Sequence, residues 1–434
     1  MLCFNEKKCF ENCKNNRVIN NISHSAVKKA KGYDRYLLLV AFLYYAIFRD
    51  VLEQYVWGAK YLDEVISLLA IPVFVFRLRK NNFMVQWRRE GYGRWILLFG
   101  IIGLISSIVY QYQDFVSVAL LDFLLCVKFW LAIYVGKYIF GDMRLAKYAI
   151  RIYVHVMIIT TLYMVLFALD WMFNLFDSEI RYGMRTTQLM YTTPTQFVSC
   201  CMFLIIILLS IREHISGDWF WLIILLFLMC TSLRSKAFGN AIAVIMIYYI
   251  VCYRKKKIKI SNFFLFIPIV ILVAWEQIEF YFFSSIQDDS ARYQLLIKAF
   301  EIAKDCFPLG AGFGTYASHY SGVSYSPLYS MYGLTDVNGL RENATSFISD
   351  SFWPMILGQT GYLGLLAYSL GLVILFKTIQ KLYNANLSIY ASAISGFFYL
   401  LISSMAESAF VHPMAMPIAI WMGFSLGREK EYIR

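Results

Sequence analysis

Arg181, Arg185, Arg234 and Arg292, together with Asp350, are the residues of this chain best suited to chemistry. A guanidinium presents a rigid fork of donors that matches phosphate oxygens, and it keeps its charge under all conditions. A carboxylate can accept a proton from a hydroxyl or orient it. All five stand at the ends of apolar runs or in the segments between them, where a charge is costly enough to suggest function. Several arginines converging on one face point to the capture of an anionic group at a membrane surface. Each residue also has a plainer reading. A lone boundary arginine can snorkel toward headgroups, and Asp350, in Ser349-Asp350-Ser351-Phe352-Trp353-Pro354, can cap a helix.

The elements that must position these residues are helices in a membrane. The chain of 434 residues is 59% hydrophobic and 18% aromatic, with 16% charged residues. That composition excludes an ordinary soluble domain. The first 35 residues are polar and basic, and the first apolar run begins near Tyr36, too late for a signal peptide. Apolar runs suited to crossing a bilayer lie near 36–57, 61–78, 95–113, 115–136, 148–173, 189–211, 218–234, 237–253, 262–283, 350–376, 386–405 and 409–427. With both termini in the cytoplasm, most of the 40 Lys and Arg fall on the cytoplasmic side, in segments such as Arg254-Lys255-Lys256-Lys257. The net charge of +12 is therefore read as a topology signal, and no nucleic-acid partner is expected.

The expected organisation is a basic cytoplasmic segment over 1–35, nine membrane helices over 36–283, a long outer loop over 284–349, three helices over 350–427 and a cytoplasmic tail over 428–434. Within the loop, Asp289 or Ser290 can start a helix from Ala291 to Asp305, which Pro308 and Gly310 would end. Leu296, Ala299, Phe300 and Ala303 are expected to share its apolar face, with Arg292 one turn earlier. The run Gly310-Ala311-Gly312-Phe313-Gly314 has no strand before it, so it reads as a tight turn and not a dinucleotide motif. Gly358, Gly361 and Gly364 make a smooth stripe for close helix contact, and Gly361 falls three turns after Asp350.

Other candidates are thinner. Arg49, Asp50 and Glu53 lie at the outer end of the first run, and Asp288-Asp289 could hold a cation or start a helix. His319 has no evident partner in sequence, and His412-Pro413 can shape the entry to the last run. Nine cysteines make no disulfide framework, and no metal or other cofactor is expected.

Several segments resemble one family. Arg292-Tyr293-Gln294-Leu295-Leu296 is similar to the R-x-x-x-L motif of the O-antigen ligase and Wzy-type O-antigen polymerase superfamily. Phe307-Pro308-Leu309-Gly310-Ala311-Gly312-Phe313-Gly314 resembles the segment that follows it, and Asp350 with Gly361 resembles an H-x10-G motif with aspartate in place of histidine. Thr231-Ser232-Leu233-Arg234-Ser235 resembles the family's serine–arginine segment, and Arg185 with Pro194 matches more loosely. The resemblance covers about half the chain, from Arg181 to Phe376. It implies an all-α, GT-C-like polytopic membrane protein of about twelve helices in a bacterial inner membrane, with its site outside the cytoplasm. It also implies glycan transfer from undecaprenyl diphosphate, metal-independent and inverting, onto a lipid-linked repeat unit. In that scheme Arg181, Arg185, Arg234 and Arg292 hold the diphosphate, and Asp350 serves the acceptor hydroxyl. The implied partners are the lipid-linked oligosaccharide donor and acceptor, membrane lipids and a chain-length-regulating membrane protein. Aspartate in place of histidine favours polymerisation over ligation to lipid A core. A lipid-linked oligosaccharide flippase is the non-enzyme alternative.

Overall fold

In lipid, every backbone amide must find its partner within the chain, so long apolar runs fold as helices. The computed structural model describes residues 33–56, isolated positions between 58 and 72, 91–259 and 290–427. Helix α1 covers 33–55. It is followed among the described residues by α2 (Tyr92–Tyr110), α3 (Leu120–Val135, with a π-turn at each end) and α4 (Leu145–Phe173). A two-stranded hairpin comes next, β1 (Ile180–Arg181) and β2 (Met184–Arg185). Then come α5 (Pro194–Ile211), α6 (Asp218–Cys230), α7 (Ser235–Ile247), α8 (Ala291–Asp305), α9 (His319–Val323) and α10 (Pro327–Met331). The chain closes with α11 (Phe352–Ile379), α12 (Leu387–Ser403) and α13 (Ala415–Gly427).

The protein is mostly helical, and six helices among the described residues are long and apolar enough to cross a membrane. They are Tyr92–Tyr110, Phe115–Phe140, Leu145–Phe173, Pro194–His214, Ser235–Tyr253 and Phe352–Asn384. Three further runs expected to span form shorter apolar helices, α6, α12 and α13. The runs at 61–78 and 262–283 lie largely or wholly outside the described residues, as do Asp288 and Asp289. α5 is the core of the bundle, with almost every residue buried, and it packs against α4, α6 and α12.

The last expected run starts later than 409. Residues 404–414 form an irregular segment, and α13 begins only at Ala415. Pro413 disfavours a helical conformation at His412 before it, so the helix cannot extend further back. The polar group that this leaves at the end of the bundle, Glu407, Ser408 and His412, becomes part of the site described below.

The glycine-rich segment does more than turn. α11 breaks at Gly361, where φ is 62° and ψ is −167°, a conformation open essentially to glycine alone. The break leaves carbonyls without their helical donors, and the loop supplies new ones. Ala311 N–H donates to Gly358 O at 2.9 Å and Gly312 N–H donates to Gln359 O at 2.8 Å. Gly310 and Gly361 meet back to back, and a Cβ on Gly361 would lie 2.7 Å from both Gly310 N and Pro308 O. The expected smooth stripe is thus a socket at Gly361, not a helix–helix seam.

Asp122 of α3 clamps the joint. Its Oδ2 accepts from Gly314 N–H and from Gln359 Nε2, each at 2.8 Å. Ser107 of α2 accepts from Phe313 N–H at 2.9 Å, and Ser106 donates to Gly310 O. The Phe313 ring fills the gap between Phe99 and Phe123, 5.5 Å from each. The segment after α8 is thereby fixed against α2, α3 and α11.

Candidate functional site

A cavity of about 1000 Å³ collects charged side chains from distant parts of the chain. α1 supplies Arg49 and Glu53, α3 supplies Leu125 and Lys128, and the hairpin segment supplies Glu179 and Arg181. The start of α7 brings Arg234, Ser235 and Lys236; α8 brings Arg292; α9 brings His319 and Tyr320. Asp350 and Ser349 come from the turn before α11, and Glu407, Ser408 and His412 from the irregular segment before α13. Lys128 sits near the middle of the Phe115–Phe140 span, so the cavity reaches well into the bundle.

Four of the five expected residues, Arg181, Arg234, Arg292 and Asp350, line this cavity, and Arg185 does not. The hairpin explains the split. Its register pairs Ile180 with Arg185 and Arg181 with Met184, so the two arginines stand on opposite faces of the ribbon. Arg181 faces the cavity. Arg185 turns back to the end of α4, where its Nε donates to Ser178 Oγ at 2.8 Å and its Nη2 to Phe176 O at 3.2 Å. It also donates to Asn174 Oδ1 and lies 3.7 Å from Asp170. Arg185 therefore holds the base of the hairpin and stands outside the cavity lining, apart from the three arginines with which it was grouped.

α8 runs over Ala291–Asp305 as expected, but its buried face is turned by about one residue. Ala291, Leu295, Ala299, Ile302 and Ala303 are buried, and Phe300 is exposed. This face packs on α11 and leaves Arg292 at its edge, toward the cavity. Arg292 Nη2 donates to Asp350 Oδ2 at 3.2 Å.

Asp350 is not the helix cap. It ends a short 3-10 turn, Ile348–Asp350, and the cap position of α11 belongs to Ser351. Its carboxylate goes to Arg292 instead. Burial raises the Asp350 pKa from its ordinary value, a shift that Arg292 opposes and the nearby Glu407 assists. The result is a carboxylate more basic than one in water.

Two arginines converge on one acid across the cavity. Arg234 Nη2 lies 3.1 Å from both oxygens of Glu179, and Arg181 Nε lies 3.2 Å from Oε2. Burial works against the Glu179 carboxylate, but Arg234 and Arg181 overcome it and hold its pKa below the ordinary value. Arg234 Nε is buried and has no hydrogen-bond partner among the described residues. A donor left this way favours an incoming acceptor.

Sequence reading missed the partners Glu179, Lys236 and Glu407. Lys236 and Glu407 form a buried ion pair of 2.7 Å across 171 positions of chain. A faint signal for Lys236 lay two residues beyond Arg234, on the first turn of α7. Arg49 and Glu53, considered as thin candidates, pair at 2.6 Å and line the cavity, whereas Asp50 accepts from Thr192 Oγ1 at 3.2 Å. Among the described residues the lining holds six cations, Arg49, Lys128, Arg181, Arg234, Lys236 and Arg292. Against them stand four described carboxylates, Glu53, Glu179, Asp350 and Glu407, an excess of two positive charges among the described residues. No protein-family model matches the chain, and no curated protein sequence matches it.

Proposed function

We propose that the protein is a polysaccharide polymerase, transferring a growing O-antigen or capsule glycan from undecaprenyl diphosphate to a lipid-linked repeat unit. The observation that carries this reading is the convergence of Arg181, Arg234 and Arg292 with Asp350 on one cavity at the end of a helical bundle. The excess of positive charge among the described lining residues suits a diphosphate diester, which carries two negative charges. The resemblance of the Arg292, Gly310–Gly314 and Asp350–Gly361 segments to the polymerase and ligase superfamily adds to it. In full, the reading is a GT-C-like protein of about twelve spans in a bacterial inner membrane, with both termini cytoplasmic and the cavity facing outward.

The chemistry follows from the side chains. The acceptor hydroxyl oxygen attacks the anomeric carbon while the bond from that carbon to the diphosphate oxygen breaks, inverting configuration. The departing bond pair adds a charge to the diphosphate, which Arg181, Arg234 and Arg292 neutralise from fixed positions in a partly dry site. Asp350, made more basic by burial, takes the hydroxyl proton. A chain-length-regulating membrane protein would act on this cycle from outside the site.

Gel analysis of surface glycan after deletion of the gene tests the reading. A single-repeat band without a ladder is expected. Loss of both long and short forms would replace the polymerase with a ligase or a flippase. For the orientation, single cysteines at Ser324 and Lys256 in a cysteine-free background are compared in intact cells with an impermeant thiol reagent. Position 324 should label and position 256 should not; the reverse pattern overturns the outward-facing cavity.

A further inference from the structure

We infer that Glu179 is a built-in competitor for the diphosphate and so governs how readily the site fills and empties; the inference rests on the reading above. The Glu179 carboxylate sits in the fork of Arg234 and against Arg181, at 3.1 and 3.2 Å, where an anion entering the cavity must also bind. The chain thus carries its own anion in its arginine clamp.

The position of Glu179 suits exchange. Its side chain is 56% exposed, and it precedes a hairpin whose ladder is only two residues long in each strand. So short a ribbon has little stability of its own. Arg185 pins its base to Asn174, Phe176 and Ser178, so the segment is tethered yet its carboxylate can swing aside. The neighbouring pair of Lys236 and Glu407 differs, because both side chains are largely buried at 2.7 Å.

The exchange has a kinetic use. A diphosphate diester carries more charge and more acceptor oxygens than one carboxylate, so it displaces Glu179. Bond cleavage then adds a charge to the diphosphate, and the product grips the arginines harder than the substrate did. Release of so tightly held a product commonly limits turnover. A carboxylate tethered beside the clamp competes at high effective concentration and shortens the residence of the product. Its removal multiplies the apparent dissociation constant by the fraction of clamps it had left open.

The test uses the purified full chain in neutral detergent, titrated with inorganic pyrophosphate in a calorimeter. Glu179→Gln should bind about tenfold more tightly than wild type, as expected for relief from one charged competitor. Glu179→Asp, which keeps the charge on a shorter arm, should fall between them, and Arg234→Ala should bind weakly. In steady-state polymerisation, Glu179→Gln should lower KM and kcat together and make added pyrophosphate a stronger inhibitor. Unchanged or weaker pyrophosphate binding in Glu179→Gln, with Arg234→Ala still defective, overturns the inference and leaves the diphosphate reading standing. Absence of pyrophosphate binding in wild type and Glu179→Gln alike, or full binding in Arg234→Ala, removes the diphosphate reading and the inference with it.

Discussion

Asp122 and Asp350 both touch segments that sequence reading had joined into one site, yet their surroundings differ in kind. Asp122 is fully buried and meets backbone and amide N–H groups, Gly314 N–H and Gln359 Nε2. Asp350 borders the cavity and meets a guanidinium, Arg292. The first arrangement locks a loop into a broken helix. The second leaves a basic oxygen and a strong cation facing open space. Segments 308–314 and 350–361 therefore differ along their length: the glycines build a fixed joint, and the charged residues at its edge line the cavity. A charge is preorganised only if the backbone beneath it is held in place.

The comparison would break most visibly at Asp350. Asp350→Asn keeps an acceptor for Arg292 but is no base, so membrane levels should hold while polymerisation falls by about 10²–10⁴-fold. Glycan chain length in a deletion strain carrying the variant at matched levels is the measurement. A normal ladder would strip Asp350 of its chemical role and leave the cations as the supported part of the site.

Gly361→Ala should act on the other side of the comparison. A Cβ there meets Gly310 N and Pro308 O at 2.7 Å, and the backbone conformation is itself unfavourable by about 1–3 kcal/mol. The variant should fail to accumulate as a folded protein, measured by monodispersity after detergent extraction. Normal yield with lost activity would mean that the joint serves the chemistry directly.

Asp122→Ala leaves the Gly314 N–H without its acceptor, at about 1–3 kcal/mol for a buried donor, and reduces the Gln359 amide to its bond with Tyr316 O. A lower melting temperature with residual polymerisation is expected. The comparison sharpens if Asp122→Ala loses stability and Asp350→Asn loses only activity. It collapses if the two losses are reversed.

The smallest effect is in pH. Burial raises the Asp350 pKa above 3.8. The basic form is lost as pH falls through that raised value, so activity should decline by about tenfold per unit at a higher pH than an ordinary carboxylate would give. The sign for stability is opposite. A carboxyl whose pKa is raised on folding stabilises the fold in its protonated form and withdraws that contribution as pH rises. The acid loss of activity should therefore be reversible, with this group not promoting unfolding. Rates in reconstituted vesicles, returned to neutral pH after acid exposure, check it; persistent loss would assign the decline to unfolding.

Much of this arrangement was legible from local pattern. The α8 boundaries at Ala291 and Asp305 follow from an apolar period between a serine and a proline, and both hold. The face of that helix was misjudged by one residue, because a single helix does not reveal which flank meets α11. Arg181 and Arg185 looked equivalent in sequence. Only the hairpin register, with Arg181 opposite Met184, sends one to the cavity and the other to α4. Asp350 looked equally like a cap and a chemical group until the turn at Ile348–Asp350 moved the cap to Ser351.

Composition and hydrophobic run length determined by themselves that this chain folds as helices in a membrane. The apolar content leaves water no role in satisfying the backbone, and lipid permits few alternatives. Residue type and position likewise selected Arg234, Arg292 and Asp350, because a charge at the end of an apolar run is costly wherever that run goes. What tertiary structure alone decided is which charges meet. Arg292 and Asp350 are 58 residues apart, and Lys236 and Glu407 are 171 apart. Contacts at such separations depend on the crossing of whole helices and on the broken turn at Gly361, and no local periodicity encodes them.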